Sequence, residues 1–376
     1  MYLNRLNARV NGKVFSMTSK KKRIAINTGG GDAPGLNAVI RAAVLSALNL
    51  GWEVYGIRRA YHGLLGEDDV IPLTRESVRG ITHLGGTILG TTNRGNPFAW
   101  PVAQADGSIE PVDRSDEVVA AFREHGFDAL IAIGGDGSLR IAHELSLKGL
   151  PVVGVPKTID NDIEGTPITF GFLTAVYVAT DAIDRLHSTA QSHERVMVVE
   201  VMGRNTGWIA LFAGVAGTAD IILIPEIPYD LDKVCEKVME RERMGRHFSI
   251  VVAAEGAFPV GGEPVFKDPA HQQLGGVCEV LAKQIGERTG KVSRAIALRH
   301  LQRGGSPISY DRLLALRFGA AAVRCIANGV FGCMVAIDPP DARMIPLADA
   351  ISQQKRVPID GDVVATGRAM GICMGD

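Results

Sequence analysis

Three clusters of glycine and acidic residues are the part of this sequence best suited to phosphate and metal chemistry. Two of them are loops, a run of three glycines at residues 29–31 and the segment 134–138, which places Asp136 between glycines. Closely spaced glycines let backbone N–H groups approach an anion, and a following helix N-terminus favours negative charge. A tight turn or an Asp or Ser helix cap would explain either loop without a ligand. Two such loops together favour a phosphate site at which Asp136 binds Mg²⁺.

The third cluster, residues 156–162, combines Lys157, Thr158, Asp160 and Asp162. Two carboxylates beside a hydroxyl group and a lysine suit the removal of a proton from a substrate hydroxyl, together with metal or phosphate binding. An Asx turn would account for Asp160 without any chemistry. The segment alone therefore leaves both interpretations open.

Basic side chains follow several other apolar runs. Five arginines were expected in loops at strand ends, and they are Arg94, Arg195, Arg204, Arg294 and Arg303. A surface salt bridge is the better explanation for any one of them. Five together favour bidentate recognition of phosphate, because buried arginines are costly without such partners.

The elements that must position these residues are short, β-branched apolar runs. Nine such runs occur, at residues 24–26, 54–57, 129–133, 152–155, 196–201, 221–224, 250–254, 295–298 and 335–337. They are continuous rather than alternating, which is typical of strands buried on both faces of a parallel sheet. Apolar residues at helical spacing lie between them, as in residues 36–48 and 172–186. This alternation predicts a doubly wound α/β fold, in which ligands bind beyond the carboxyl ends of the strands.

Nine strands are too many for one small sheet, so we predict two stacked doubly wound lobes with mostly parallel sheets and an active site in the cleft between them. The first lobe would comprise residues 24–170 and roughly 303–350, and the second roughly 171–302 and 351–376. Residues 1–23 contain seven basic residues and no acidic one, which predicts a disordered basic tail. An organelle-targeting presequence is the alternative.

Composition excludes several classes of partner. The 376 residues contain 40 Lys and Arg against 41 Asp and Glu, so the chain has no overall positive charge to attract nucleic acid. No apolar stretch approaches the roughly 20 residues that span a bilayer, so no membrane partner is expected. The five cysteines have no C-x-x-C spacing, which indicates reduced thiols and a cytoplasmic protein.

The order of five motifs resembles that of the 6-phosphofructokinase family. The motifs are Gly-Gly-Gly-Asp-Ala-Pro-Gly, Gly-Gly-Asp-Gly-Ser, Pro-Lys-Thr-Ile-Asp-Asn-Asp, Val-Glu-Val-Met-Gly-Arg and His-Leu-Gln-Arg-Gly-Gly-Ser-Pro, and the resemblance runs from about residue 24 to about residue 350. It implies a glycolytic, Mg²⁺-dependent kinase that transfers a phosphoryl group from ATP to the 1-hydroxyl of fructose 6-phosphate. It also implies a homo-oligomer, a dimer or tetramer, with a nucleotide-binding first lobe and a sugar-phosphate-binding second lobe.

The resemblance assigns roles to individual residues. Asp160 would be the base that accepts the sugar proton, in a catalytic set with Thr158, Asp162 and Arg204. The donor phosphates would contact Gly30, Gly31, Arg94, Asp136, Gly137, Ser138 and Lys157, with Asp136 as the Mg²⁺ ligand. The sugar phosphate would contact Thr158, Asp160, Arg195, Met202, Gly203, Arg204, Glu255, Arg294, His300 and Arg303. Of these, Arg195 and Arg294 would come from a neighbouring subunit.

Two positions bear on the phosphoryl donor. Family members that use pyrophosphate typically carry Asp at the position of Gly137 and Lys at that of Lys157, whereas ATP-dependent bacterial members carry Gly at both. This sequence is mixed. An Asp at position 137 would crowd and repel the nucleotide α-phosphate, so Gly137 favours ATP. Pyrophosphate is the alternative donor, and another sugar phosphate such as sedoheptulose 7-phosphate is the alternative acceptor.

Two other classes of protein fit less well. NAD kinases and diacylglycerol kinases also use a Gly-Gly-Asp-Gly loop, but they lack the Thr-Ile-Asp-Asn-Asp and His-Leu-Gln-Arg-Gly-Gly segments found here. A catalytically silent sugar-phosphate sensor would be expected to lose Asp136 or Asp160, and both are present.

Overall fold

The computed structural model describes residues 21–104, 106–268 and 273–376. The predicted basic tail lies outside the described residues as far as position 20, and its last residue, Arg23, belongs instead to the first strand. The Arg23 backbone N–H donates to Asp128 Oδ2 at 2.7 Å, and its guanidinium lies 4.7 Å from the centre of the Tyr55 ring. These contacts explain why a basic residue begins the sheet.

Strands and helices alternate along most of the chain. The strands are β1 (Arg23–Thr28), β2 (Glu53–Ile57), β3 (Val70–Pro72), β4 (Trp100–Ala103), β5 (Ile109–Val112), β6 (Ala129–Gly134), β7 (Val152–Thr158), β8 (Phe170–Gly171), β9 (Val196–Val201), β10 (Ile221–Leu223), β11 (Ser249–Ala254), β12 (Phe266–Asp268), β13 (Gln273–Leu274), β14 (Ser293–Ala297), β15 (Cys333–Asp338) and β16 (Asp341–Pro346). The helices are α1 (Leu36–Asn49), α2 (Ser115–Glu124), α3 (Asp136–Leu147), α4 (Phe172–His193), α5 (Trp208–Ala216), α6 (Leu231–Arg243), α7 (Val277–Thr289), α8 (Ser309–Ala327), α9 (Leu347–Ala350) and α10 (Asp362–Ala369). Among the described residues none of these helices is long and apolar enough to cross a membrane.

Two mostly parallel sheets organise the fold. The larger has eight strands, in the order β16-β15-β7-β6-β1-β2-β3 with β8 paired to β7, and only its edge strands β16 and β3 run antiparallel to their neighbours. The smaller has four parallel strands in the order β10-β11-β9-β14. These sheets confirm the predicted α/β class.

Helices cover both faces of each sheet. In β1, Ile24 and Ile26 pack with α1 and α8, whereas Ala25 between them packs with α2, α3 and α9 on the opposite face. The smaller sheet packs α4, α5 and α10 on one face and α6 and α7 on the other. Burial on both faces is the reason that the strands read as continuous apolar runs.

All nine predicted apolar runs form strands, and the described residues contain seven further strands that were not predicted. The unpredicted strands are short or exposed. All four residues of β5 are exposed, and β16 is an edge strand with four of its six residues exposed. Such strands bury little apolar surface, so they lack the pattern that identifies a core strand.

The end of the chain pairs with the loop after β7 and with β10 of the smaller sheet. Gln354 forms an isolated β-bridge with Ile163, and Cys373 forms another with Ile221 beside β10. We refer to residues 351–357, which cross the loop after β7, as the C-terminal strap.

Candidate active site

The carboxyl ends of β1, β6 and β7 lie side by side. Thr28 is in register with Ile133, and Gly134 with Pro156. The Gly29 N–H donates to the Ile133 carbonyl at 2.9 Å. This register brings both glycine loops and the segment 156–162 to one edge of the larger sheet.

Ser138 packs between the two glycine loops. A Cβ atom added to Gly29 would lie 2.7 Å from Ser138 Oγ, and one added to Gly134 would lie 2.2 Å from Ser138 Cβ. These two positions therefore need glycine for close packing. At Gly137, by contrast, an added Cβ would meet no described atom within 4 Å, so open space lies beside this residue.

Two cations bind the first glycine loop. Lys157, at the end of β7, is only 3% exposed, and its Nζ donates to the Gly31 carbonyl. Arg303 Nη1 donates to the neighbouring Asp32 carbonyl at 3.0 Å. Burial lowers the pKa of Lys157 to about 8, and the charge of Arg303 acts in the same direction. The loop therefore faces two closely spaced cations, an arrangement suited to a polyanion.

The loop 91–94 is tied to the same glycines. The Gly30 N–H donates to the Thr92 carbonyl at 3.1 Å, and Thr91 Oγ1 donates to the Gly30 carbonyl at 2.6 Å. The Arg94 N–H donates to Thr92 Oγ1 at 3.0 Å, while its side chain is exposed. These bonds hold the backbone of the loop 91–94, which includes the predicted phosphate contact Arg94, beside the glycine loop.

Asp160 and Asp162 form a buried acidic turn after β7. They are 5% and 7% exposed, and the Oδ1 atom of each is buried without a hydrogen-bond partner. The Asp160 N–H donates to Thr158 Oγ1 at 3.0 Å. Burial raises the pKa of Asp160, the Asp162 charge raises it further, and nearby cations oppose both effects. A carboxylate of raised pKa with a free oxygen is suited to accepting a proton.

The acidic residues also fit a hard cation. Mg²⁺ is usually held by one or two carboxylates together with substrate phosphates. The unpartnered oxygens of Asp160 and Asp162 offer such ligands, and Asp136, at the start of α3, pairs only with Arg140 at 3.0 Å across a partly exposed surface. The donor set present here therefore fits Mg²⁺ bound jointly with phosphate oxygens.

A second acidic group has a structural explanation. Glu200, Cys278 and Glu279 place three potential ligand atoms within 4.8 Å of one another, as no other trio does in the part of the chain that the structure describes. Glu200 Oε2 already accepts the N–H groups of Gly276 and Cys278, at 2.9 and 3.1 Å. Glu200 therefore caps α7, and the group is accounted for without a metal.

Residues after β9 and β11 form the facing side of the site. Glu255 Oε1 accepts the N–H groups of Gly203 and Arg204 at 3.3 and 3.0 Å, and burial raises the pKa of Glu255 to about 7. Thr206 Oγ1 donates to the Asp160 carbonyl at 3.2 Å. The loop that carries Arg204 is thus joined to the acidic turn, so elements of both sheets meet at one place.

Comparison with known proteins shows which family has this arrangement of residues. The family model described as Phosphofructokinase matches residues 23–326, most of the chain. The chain belongs to the phosphofructokinase family. This membership confirms the resemblance found in the sequence motifs.

Individual relatives of the family are similar over most of the chain. An ATP-dependent 6-phosphofructokinase of Chloroflexus aurantiacus is 54% identical over 360 residues, 96% of this chain and 99% of that protein. A pyrophosphate–fructose 6-phosphate 1-phosphotransferase of Amycolatopsis methanolica is 50% identical over 343 residues, 89% of this chain and 96% of that protein. The crystal structure of Pichia pastoris phosphofructokinase in the T-state has a TM-score of 0.76 at 32% identity, and covers 88% of this chain. This chain spans 35% of that longer one.

Two arginines that were predicted to contact the sugar phosphate lie at the starts of strands, away from the carboxyl ends of the strands that carry the site. Arg195 directly precedes β9, and Arg294 lies near the start of β14, where it is exposed and in register with Met197. Arg195 lies in the loop at the start of β9, whereas Arg294 lies inside β14 rather than in a loop at its end, contrary to the expectation. Six residues of β9, or about 20 Å, separate Arg195 from Met202 at the opposite end of the strand. The apolar run after Arg294 suggested a strand end there, but β14 extends over Arg294 itself.

Three other residues predicted to contact the sugar phosphate are sequence neighbours of Arg204 or Arg303, and they differ in exposure. Met202 is half-buried and Gly203 is buried, both directly after β9. His300 is exposed in a short 3₁₀ helix, Arg299–Gln302, which ends beside Arg303.

Sequence reasoning missed two residues that contact the acidic turn. Gln354 Nε2 donates to Asp162 Oδ2 at 2.9 Å, and Lys355 Nζ donates to Asn161 Oδ1 at 3.0 Å. Both lie in the C-terminal strap, which has no glycine loop, apolar periodicity or strand-end position. No signal in the sequence could have linked them to the site.

Proposed function

We propose that this phosphofructokinase is an ATP-dependent 6-phosphofructokinase of the glycolytic pathway. It would transfer the terminal phosphoryl group of ATP to the 1-hydroxyl of fructose 6-phosphate, giving fructose 1,6-bisphosphate and ADP. The observation that carries the proposal is the buried acidic turn beside a lysine and two glycine loops. The 54% identity with the ATP-dependent 6-phosphofructokinase of Chloroflexus aurantiacus supports it. We further propose that the enzyme works in the cytoplasm, since all five cysteines are free thiols.

Asp160 is the proposed general base. Burial and the Asp162 charge raise the pKa of Asp160, which brings the carboxylate closer to the proton affinity that such a step requires, while the nearby cations act in the opposite direction. The proton would pass from the sugar 1-hydroxyl to Asp160 as the oxygen attacks phosphorus. The bond from the Thr206 hydroxyl to the Asp160 carbonyl holds the backbone during this transfer.

Lys157 and Arg303 would bind the phosphoryl group that moves. Phosphoryl transfer spreads charge over three equatorial oxygens, so fixed cations and N–H groups stabilise its transition state. Both cations are already held at carbonyls of the first glycine loop, which limits their reorganisation on binding. Gly31 and Ser138 would present N–H groups to the donor phosphates, and Gly30, whose own N–H is bonded to the Thr92 carbonyl, would line the same loop. Thr158 would contact the transferred group.

Asp136 and Asp162 would hold Mg²⁺ together with phosphate oxygens. When bound, the ion would neutralise phosphate charge. The carboxylates would orient the donor, and the pairing of Asp136 with Arg140 is exposed enough to be exchanged for the ion.

The sugar phosphate would be bound by Met202, Gly203, Arg204, Glu255, His300 and Arg303. Arg195 and Arg294 lie at the opposite ends of their strands, which supports the proposal that they serve the site of a neighbouring subunit. The enzyme would therefore be a homo-oligomer, a dimer or a tetramer, with each active site formed by two chains.

A pyrophosphate-dependent activity is the second candidate. Lys157 and the 50% identical relative from Amycolatopsis favour it. The open space beside Gly137 favours ATP, because it leaves room for the part of the nucleotide that pyrophosphate lacks.

Initial rates with fructose 6-phosphate and Mg²⁺ would test the proposal, with ATP and pyrophosphate compared at equal concentration. We expect turnover with ATP alone. Turnover with pyrophosphate alone would refute the proposed donor and show that Lys157 determines it. Absence of turnover with both would refute the proposed function, and other sugar phosphates would then be assayed.

A further inference from the structure

The C-terminal strap binds the acidic turn directly. The Lys355 N–H donates to the Asp162 carbonyl at 2.9 Å, and the Gln354 side chain donates to the Asp162 carboxylate at 2.9 Å. The β-bridge between Ile163 and Gln354 continues the contact. The strap lies beyond residue 326, where the match to the family model ends.

Lys355 ties together the loop that follows the acidic turn. Its Nζ donates to Asn161 Oδ1 at 3.0 Å and to the carbonyls of Thr166 and Pro167 at 2.8 and 3.1 Å. The ammonium group also lies 5.5 Å from the centre of the Trp208 ring. One side chain therefore joins both ends of the loop 161–167.

The strap also contacts the loop that carries Arg204. The Val357 N–H donates to Glu226 Oε1 at 3.0 Å, and Glu226 Oε2 accepts the Gly207 N–H at 3.0 Å. Trp208 Nε1 donates to the Lys355 carbonyl at 3.1 Å. The strap thus spans from the acidic turn after β7 to the start of α5, four residues beyond Arg204.

We propose that Gln354 and Lys355 are positioning residues for phosphoryl transfer. Gln354 fixes the Asp162 carboxylate, and Lys355 fixes the loop 161–167. Together they keep the acidic turn in position relative to the loop that carries Arg204. The effect is large because a displacement of about 1 Å in a catalytic group can cost about a hundredfold in rate. This inference rests on the proposed kinase function.

Three variants of neighbouring glutamines test the inference. Gln354→Ala removes the bond to Asp162, and Gln354→Glu keeps the shape but sets a carboxylate against that of Asp162. The matched control is Gln353→Ala, because the exposed Gln353 side chain donates to Glu164 at 3.3 Å rather than to the acidic turn. We expect kcat to fall about tenfold in Gln354→Ala and about a hundredfold in Gln354→Glu. KM for fructose 6-phosphate should stay within about twofold in both, and the control should match wild type.

Lys355→Met should also lower kcat by at least about tenfold. It removes three hydrogen bonds from the loop and lowers stability as well, so the Gln354 variants are the deciding comparison. A kcat of Gln354→Glu within about twofold of wild type would overturn the inference.

Hydrogen–deuterium exchange of residues 158–167 separates this inference from the proposed function. We expect faster exchange in Gln354→Glu than in Gln353→Ala, whether or not the wild type phosphorylates fructose 6-phosphate. An inactive wild type would refute the kinase proposal alone. Equal exchange in the two variants would overturn the positioning role.

Discussion

Asp160 lies between one like charge and three cations, and this balance sets its chemistry. Burial and, to a smaller extent, the Asp162 charge raise its pKa, while Arg303, Arg204 and Lys157 lower it. Asp160→Asn removes the proton acceptor with little change in volume. We expect kcat to fall about a thousandfold, within the range of general base catalysis. Initial rates give kcat, and calorimetric titration should show fructose 6-phosphate binding changed by less than about threefold. An unchanged kcat would exclude Asp160 as the base.

Gly137 decides how much space a donor finds at the start of α3. Nothing lies within 4 Å of a Cβ added there, so Gly137→Asp should fold normally and place a carboxylate in the open space. We expect kcat/KM for ATP to fall at least about a hundredfold, through repulsion of the α-phosphate. Any activity with pyrophosphate should fall far less. Equal losses for both donors would contradict the steric argument, and Gly137→Ala serves as an uncharged control.

Glu255 makes stability depend on pH. Burial raises its pKa from 4.5 to about 7, so between these values the folded chain keeps a proton that the unfolded chain has lost. The contribution of Glu255 to the free energy of unfolding is therefore lost as pH rises from about 4.5 to about 7. Glu255→Gln cannot ionise, and we expect it to exceed wild type by about 2 kcal/mol in free energy of unfolding at pH 8. Urea titrations at pH 8 and pH 4.5 should show this gain at the higher pH only. A gain of equal size at both would contradict the assignment.

At the scale of elements, α1 and α8 pack with their backbones close together. A Cβ added to Gly319 would lie 2.4 Å from the Val39 carbonyl oxygen. We therefore expect Gly319→Ala to lower the free energy of unfolding by about 2 kcal/mol, despite the better helix propensity of alanine. Chemical denaturation measures the change.

Gly286 is the matched control, since it also lies inside a helix, α7, but a Cβ there would lie 3.4 Å from its nearest neighbour, an ordinary contact. Gly286→Ala should raise stability by about 0.5–1 kcal/mol. A stabilised Gly319→Ala variant would show that the two helices can move apart at little cost.

The predictability of each element follows from how much apolar surface it buries. Core strands such as β6 and β11 are buried along their whole length, so a single sequence reveals them. The acidic turn was predicted because its side chains are contiguous in sequence. Gln354 contacts Asp162 across 192 positions, and its partner is fixed only by tertiary packing. Arg294 was misplaced because the start of β14, unlike the core of a strand, carries little pattern.

At the scale of the whole molecule, the proposed oligomer predicts complementation between inactive subunits. An Asp160→Asn chain lacks the base, and an Arg195→Ala chain lacks the arginine given to its neighbour. In a hybrid dimer, the chain with Asp160 receives Arg195 from the other, so one site regains all its groups. Coexpression should therefore restore about a quarter of wild-type activity through random pairing. Activity no higher than that of either variant alone would contradict a shared site.

The position of the C-terminal strap sets an order of events during synthesis. Asn161 leaves the ribosome 194 residues before Lys355, the donor that later binds it. At about 5–20 residues per second, this interval lasts roughly 10–40 seconds. During that time the acidic turn of the nascent chain has neither of its strap donors. We therefore expect a growing chain to form the smaller sheet and the strands β1, β2, β6 and β7 well before its catalytic power, which arrives only when the strap has docked.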